Sequence, residues 1–187
     1  MSKGKLFIVS GASGVGKSTV LSKVMERRKD LRFSVSATTR APRPGETHGV
    51  NYYFITKEQF EEMIRQDAFL EYDAHMANFY GTPVQQMEEK LLTGSVILDI
   101  EPNGAFQVRA KRPDAVLIFI APPSMEDLES RLRGRGDTSA EQMEMRLERA
   151  RWEMEQGKQY DYIVTNDQVE ACVEEILHII AKYCDGE

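Results

Sequence analysis

The octapeptide Gly11-Ala12-Ser13-Gly14-Val15-Gly16-Lys17-Ser18 constrains this chain more than any other stretch of it. It follows the apolar run Leu6-Phe7-Ile8-Val9 and leads into Val20, Leu21 and Val24, which recur at helical spacing. A strand, a glycine-rich turn and a helix in that order aim backbone N–H groups and the positive end of the helix dipole at one point, where a phosphate fits. In the pattern G-x-x-x-x-G-K-[ST], Lys17 reaches the outer phosphates and the Ser18 hydroxyl ligates the Mg²⁺ that accompanies a nucleoside triphosphate. Gly11 to Ser18, with Thr19 after them, form the expected triphosphate cradle.

The rest of the chain fits a soluble enzyme built on that unit. Its 187 residues suffice for one domain core, and 41% hydrophobic with 29% charged residues is ordinary for a globular protein. A formal net charge of −6 argues against a general nucleic-acid binder, whose surface is usually basic. The basic residues are nevertheless clustered, at Arg40 and Arg43 and again at Arg131, Arg133 and Arg135, as suits a small anionic ligand in a defined pocket. Cys172 and Cys184 form no C-x-x-C pattern, so a reduced setting is expected. With no basic leader and no membrane-length apolar run, the expectation is a cytoplasmic protein with no membrane contact and no evident obligate protein partner.

Nearly continuous apolar runs at Lys5–Ser10, Ser95–Ile100, Ala115–Ile120 and Tyr162–Thr165 read as parallel strands buried on both faces, alternating with helices. The last helix carries one apolar stripe: Val169, Cys172, Val173, Ile176, Leu177, Ile180 and Tyr183. Between Phe33 and Thr93 the rhythm breaks into short alternating segments. Thr56 with Gln59, and Thr82 with Gln85, have capping-box spacing, and Pro83 is expected at a first helical position. A second departure, Met125–Gly157, is helical, polar and arginine-rich, with Ser139 and Gln142 spaced to cap a helix. The expected architecture is an α/β three-layer fold of the P-loop NTPase kind with a five-stranded parallel core sheet. Core segments 1–33, 94–124 and 158–187 would carry an inserted α+β lobe at 34–93 and a helical lid at 125–157.

Three further motifs converge on one family. Ser36-Ala37-Thr38-Thr39-Arg40-Ala41-Pro42-Arg43-Pro44-Gly45-Glu46 closely resembles the S-x-T-T-R-x-P-R-x-G-E signature of guanylate kinases. Asn78-Phe79-Tyr80-Gly81-Thr82 is similar to that family's N-Y-Y-G-[ST] segment, and Asp99-Ile100-Glu101 to its D-I-D. The likeness continues through Ile120–Ser124, Arg131–Gly136 and Ile163–Asp167, covering nearly the whole chain.

The resemblance implies transfer of the γ-phosphoryl of ATP to GMP or dGMP, with Mg²⁺, giving ADP and GDP. The acceptor is a phosphate oxygen, already anionic at neutral pH, so no general base is needed. The obstacle is the approach of two polyanions, and positioning with positive charge must overcome it. By matching position, Arg40 and Arg43 grip the GMP phosphate, as bidentate guanidinium forks do, and the phenols of Tyr52 and Tyr80 bond it too. Glu71 reads the N1–H and N2–H₂ donors of guanine, which adenine would leave unsatisfied, with Ser36 and Thr82 as small hydroxyls beside the base. Asp99 lies near the metal and GMP, Lys17 with Arg131, Arg135 and Arg146 closes on the ATP phosphates, and Asn166 and Asp167 resemble the adenine-side loop.

One departure is Glu101-Pro102-Asn103-Gly104, where the family usually has an aspartate, a bulky residue and Gln-Gly. Glu101 keeps the charge one methylene further out, and is expected to keep its guanine-side role through a slightly displaced backbone. Two other readings are a same-fold kinase with a different phosphate acceptor and a non-catalytic module that binds proteins. The first should lack the combination Ser36, Glu71 and Thr82; the second typically has an eroded phosphate loop.

Overall fold

The computed structural model describes residues 4–75, 77–134 and 139–185. In chain order its elements are β1 (Leu6–Gly11), α1 (Lys17–Arg27), β2 (Arg32–Phe33), β3 (Ala37–Thr38), β4 (Tyr53–Phe54), α2 (Lys57–Arg65), β5 (Phe69–His75), β6 (Asn78–Pro83), α3 (Val84–Leu91), β7 (Val96–Asp99), α4 (Pro102–Lys111), β8 (Val116–Ala121), α5 (Met125–Arg133), α6 (Ala140–Gly157), β9 (Tyr162–Thr165) and α7 (Val169–Cys184). Among the described residues no helix is long and apolar enough to cross a membrane.

The four apolar runs lie side by side, because strands that are apolar on both faces must be covered on both. With β2 they form a five-stranded parallel sheet in the order β2-β7-β1-β8-β9. Phe7, Ile8, Val9, Ile97, Leu98 and Ile118 are buried at its centre. The helix α7 closes one part of this core with Cys172, Val173, Ile176 and Ile180, leaving Cys172 an apolar packing residue. Since β1 pairs with β7 on one side and β8 on the other, the chain reverses its strand order there, and such a switch point opens a crevice at the carboxyl ends of the strands. The register sets Val9 opposite Asp99, so the loop after β1 emerges beside the acidic end of β7.

The second sheet has the order β4-β3-β6-β5 and mixes parallel and antiparallel pairs. Its small core is aromatic, with Phe60 of α2 stacked on Phe69 of β5 at a centroid distance of 4.4 Å. The capping box expected at Thr56 and Gln59 is formed at the start of α2. The one expected at Thr82 is not. The Thr82 hydroxyl instead donates to Glu71, and Pro83 is the cap residue of α3, with Val84 the first helical position. The strand β6, which contains Thr82, ends where a helix start was expected, because its pairing with β5 runs on to Pro83. The helix α3 buries Met87 and Leu91 in the main core, although it lies within the 34–93 stretch.

The arginine-rich stretch is more firmly packed than its polarity suggests. The helix α6 begins at a complete Ser139–Gln142 capping box and buries Met143, Leu147 and Ala150 in the main core. Its last residue, Gly157, sits against a buried ring: a Cβ there would lie 2.6 Å from Phe119 Cδ1. Gly157→Ala is therefore expected to cost about 1–3 kcal/mol of stability by overpacking, read as a lower denaturant midpoint with an unchanged slope. An unshifted midpoint would mean that Phe119 has room to yield.

Candidate functional site

The loop between β1 and α1 has the two left-handed residues that its glycines foreshadow, Gly14 at φ 84° and Gly16 at φ 93°. Such torsions are strained for residues with a Cβ, and a Cβ on Gly14 would also strike Leu132 of α5 at 2.5 Å. The loop is tied to its surroundings from three sides. Asn166 Nδ2 donates to the Val15 carbonyl at 2.8 Å, Ala12 N–H donates to the Ile120 carbonyl at 3.3 Å, and Ser13 N–H donates to Glu153 Oε2 at 2.7 Å. Burial raises the Glu153 carboxyl pKa, against which that N–H and Arg149 act. The loop, with Lys17, Ser18 and Thr19, lines a cleft of about 480 Å³, and Lys17 forms an ion pair with Asp99.

A second cleft, about 330 Å³, opens beside the first. Its lining includes Ser36, Tyr52, Glu71, Tyr80 and Asp99, drawn from both sheets, and Lys17, His75 and Glu101 line both clefts. Glu71 is only 5% exposed, and Oε1 accepts the Thr82 hydroxyl at 2.6 Å. Burial pushes its pKa up to about 7. Space for the carboxylate comes from Gly104 on α4, where a Cβ would lie 2.7 Å from Oε2. Thr82 thus stands behind Glu71 as its hydrogen-bond partner.

The Thr-Thr-Arg tripeptide has a structural logic. The Thr38 hydroxyl donates to the Phe79 carbonyl, Thr39 Oγ1 accepts the Phe79 N–H, and Arg40 N–H donates back to Thr38 Oγ1. These bonds lock β3 to β6 and launch Arg40 at a fixed angle. Its guanidinium makes a bidentate pair with Glu46, both contacts at 2.9 Å, and its Cζ lies 5.4 Å from the Tyr52 ring centroid. Glu46 is held down to about 2 by the Arg40 hydrogen bonds and next by the Arg43 N–H. The Tyr52 and Tyr80 rings meet edge to face at 6.0 Å. Arg43 itself is exposed.

The remaining expected residues are placed unevenly. Arg131 Nη1 donates to the Asn166 carbonyl at 3.0 Å, and Arg146 is exposed on α6. Arg135 lies outside the described residues. Glu101 turns toward α6, where Oε2 accepts Arg149 Nη2 at 2.5 Å. Glu46, Gly104, Arg149 and Glu153 were not singled out from sequence. Glu46 and Gly104 lay inside recognised motifs, whereas Arg149 and Glu153 look like ordinary charges on a polar helix and gain meaning only from what α6 packs against.

The profile of the family described as Guanylate kinase matches residues 3–183. A guanylate kinase of Thermus thermophilus is 48% identical over 179 residues, covering 95% of this chain and 81% of that one. One from Halalkalibacterium halodurans is 46% identical over 187 residues, covering 99% and 92%. The crystal structure of guanylate kinase from Anaplasma phagocytophilum superposes with a TM-score of 0.78 at 32% identity, covering 98% of this chain and 87% of that one.

The buried Glu71 has a consequence for stability. Between its ordinary value of 4.5 and about 7 the folded protein keeps a proton that the unfolded chain has released. Stability from this group therefore falls as pH rises across that window and is level above it. Glu71→Gln is expected to flatten that slope, which is on the order of 3 kcal/mol. Urea unfolding of both proteins at about pH 5 and about pH 7.5 measures it, and identical pH dependence would refute the assignment.

Proposed function

The chain belongs to the guanylate kinase family and is an ATP:GMP phosphotransferase; from that premise we propose that the phosphate-loop cleft takes ATP and the cleft ending at Glu71 takes GMP or dGMP. The observation that carries the reading is the junction itself. Lys17 lines both clefts, so a cation stands where a donor phosphate and an acceptor phosphate would meet.

In this reading each side chain has a physical task. Glu71, bonded to Thr82, accepts the N1–H and N2–H₂ of guanine, with Ser36 on the same cleft wall. The two donors favour its ionised form and repay part of the cost of burying that charge. Adenine has no such pair, and would leave the carboxylate desolvated and unmatched. Arg40 and Arg43 with the phenols of Tyr52 and Tyr80 hold the GMP phosphate, Arg40 by sharing or exchanging its bond to Glu46. Lys17, Arg131, Arg135 and Arg146 neutralise the ATP phosphates during transfer, Asn166 fixes the phosphate loop, and Asp99 lies on the GMP side, near the metal.

Phosphoryl transfer by these kinases generally uses a metal ion with ATP. Ser18 and Asp99 would hold Mg²⁺ here, since a hydroxyl and a carboxylate are the hard oxygen donors it takes while keeping waters and phosphate oxygens. When bound, the ion offsets negative charge on the phosphates. The acceptor oxygen is anionic, so the protein need not remove a proton from it. What the chain supplies is alignment, charge and exclusion of water by closure of the α5–α6 region and the second sheet. Two free cysteines, one buried, support a reducing cytoplasmic setting.

ADP release with Mg²⁺-ATP and GMP, dGMP, AMP, CMP, UMP or dTMP tests the reading. Turnover confined to GMP and dGMP is expected, with negligible ATP hydrolysis in their absence; rapid turnover of AMP would overturn Glu71's role. Arg40→Ala is expected to raise KM for GMP at least about tenfold, the scale of a lost charge-assisted bond, with KM for ATP little changed.

A further inference from the structure

Besides Lys17, the phosphate-loop cleft is lined by a second long-chain cation, Arg149 of α6. It lies three residues beyond Arg146, on a neighbouring part of the helix surface. Its Nε donates to Glu153 Oε1 at 3.0 Å, while the other oxygen of that carboxylate accepts the Ser13 N–H at 2.7 Å. A single carboxylate thus separates the guanidinium from the phosphate loop. Its Nη2 reaches across to Glu101, and its Cζ lies 4.4 Å from the ring centroid of Trp152, which supports it as a cation–π platform.

Two carboxylates, Glu101 and Glu153, therefore line a cleft that must accept a polyanion. Uncovered, they would repel it. Arg149 covers both, and the two grips differ in kind. Glu153 is buried and anchored to the loop, but the Glu101 side chain is 47% exposed. An exposed pair of that sort is worth little and is readily exchanged for a partner carrying more charge. Lys17 is likewise paired with a carboxylate, that of Asp99.

We propose that Arg149 is a further triphosphate-binding residue, held by Glu153, parked on Glu101 while the cleft is empty, and drawn onto the ATP phosphates when they enter. The proposal rests on the reading that this cleft takes ATP. It also makes Glu101 the resting partner of Arg149, which is why its longer side chain points to α6.

The chain has one tryptophan, and it is Trp152. Its emission reports on the guanidinium stacked against it, so binding can be read without catalysis. Wild-type protein is titrated with Mg²⁺ and a non-hydrolysable imido analogue of ATP, and separately with GMP. A change in Trp152 emission is expected with the analogue and not with GMP alone. Arg149→Ala should bind the analogue at least about tenfold more weakly, as expected for a lost charge-assisted bond, with GMP affinity by calorimetry within about threefold of wild type. Arg149→Lys, which keeps the charge without the fork, should lie between, and serves if the alanine variant does not fold. Glu101→Gln should bind the analogue several-fold more tightly, because the competing carboxylate is gone.

Arg149 variants that bind the analogue as wild type does, or that lose analogue and GMP to the same extent, would overturn the proposal in favour of a purely architectural ion pair. Unchanged or weaker analogue binding by Glu101→Gln would also overturn it. The acceptor reading fails separately, if wild-type protein binds the analogue but neither binds nor phosphorylates GMP.

Discussion

Charge pairing is the constraint around which this site is built, for Lys17 and Arg149 stand among the carboxylates of Asp99, Glu101 and Glu153. Two polyanions meet only where cations await them, yet those cations repel one another and lose hydration when nothing is bound. The protein answers by giving each a carboxylate: Asp99 for Lys17, Glu46 for Arg40, and Glu101 with Glu153 for Arg149. These carboxylates come from a strand end, a turn, a helix cap and a helix interior. The Lys17–Asp99 and Arg149–Glu101 pairs also tie separate parts of the fold together, so these charges double as positioning contacts.

The parallel sheet makes that arrangement possible. Its reversal of strand order at β1 brings the phosphate loop, the end of β7 and the α4 N-terminus to one edge. From the other side the second sheet contributes Glu71 and Tyr80, and glycine at position 104 leaves room for the Glu71 carboxylate beside α4. A small residue on one element thus creates the space for a buried carboxylate on another. The raised pKa of Glu71 follows from this packing, because burial makes the carboxylate costly to ionise.

Much of this was legible before any coordinates. The four main strands, α7 and the capping boxes of α2 and α6 follow from period and local chemistry, which act within a few residues of each other. The tight turn after β1 was legible for the same reason, since its glycines are contiguous with the strand and helix they join. β6 was missed because its residues carry no strong alternation and its pairing partner, β5, determines its extent. The Thr82 cap failed for a related reason: a hydroxyl that is locally well placed for a helix start was claimed by a buried carboxylate eleven positions away in the chain.

By itself, the sequence determined the parallel α/β core, the glycine-rich turn between β1 and α1 and, through contiguous motifs, the family. These depend on short-range backbone preferences and on side chains that are neighbours along the chain. Only the tertiary structure decided that Glu71 is buried and its pKa raised, and that Arg149 and Glu153 of α6 reach the loop after β1. Those properties arise from desolvation and from pairing between residues distant in the chain, and neither quantity exists until the elements have packed.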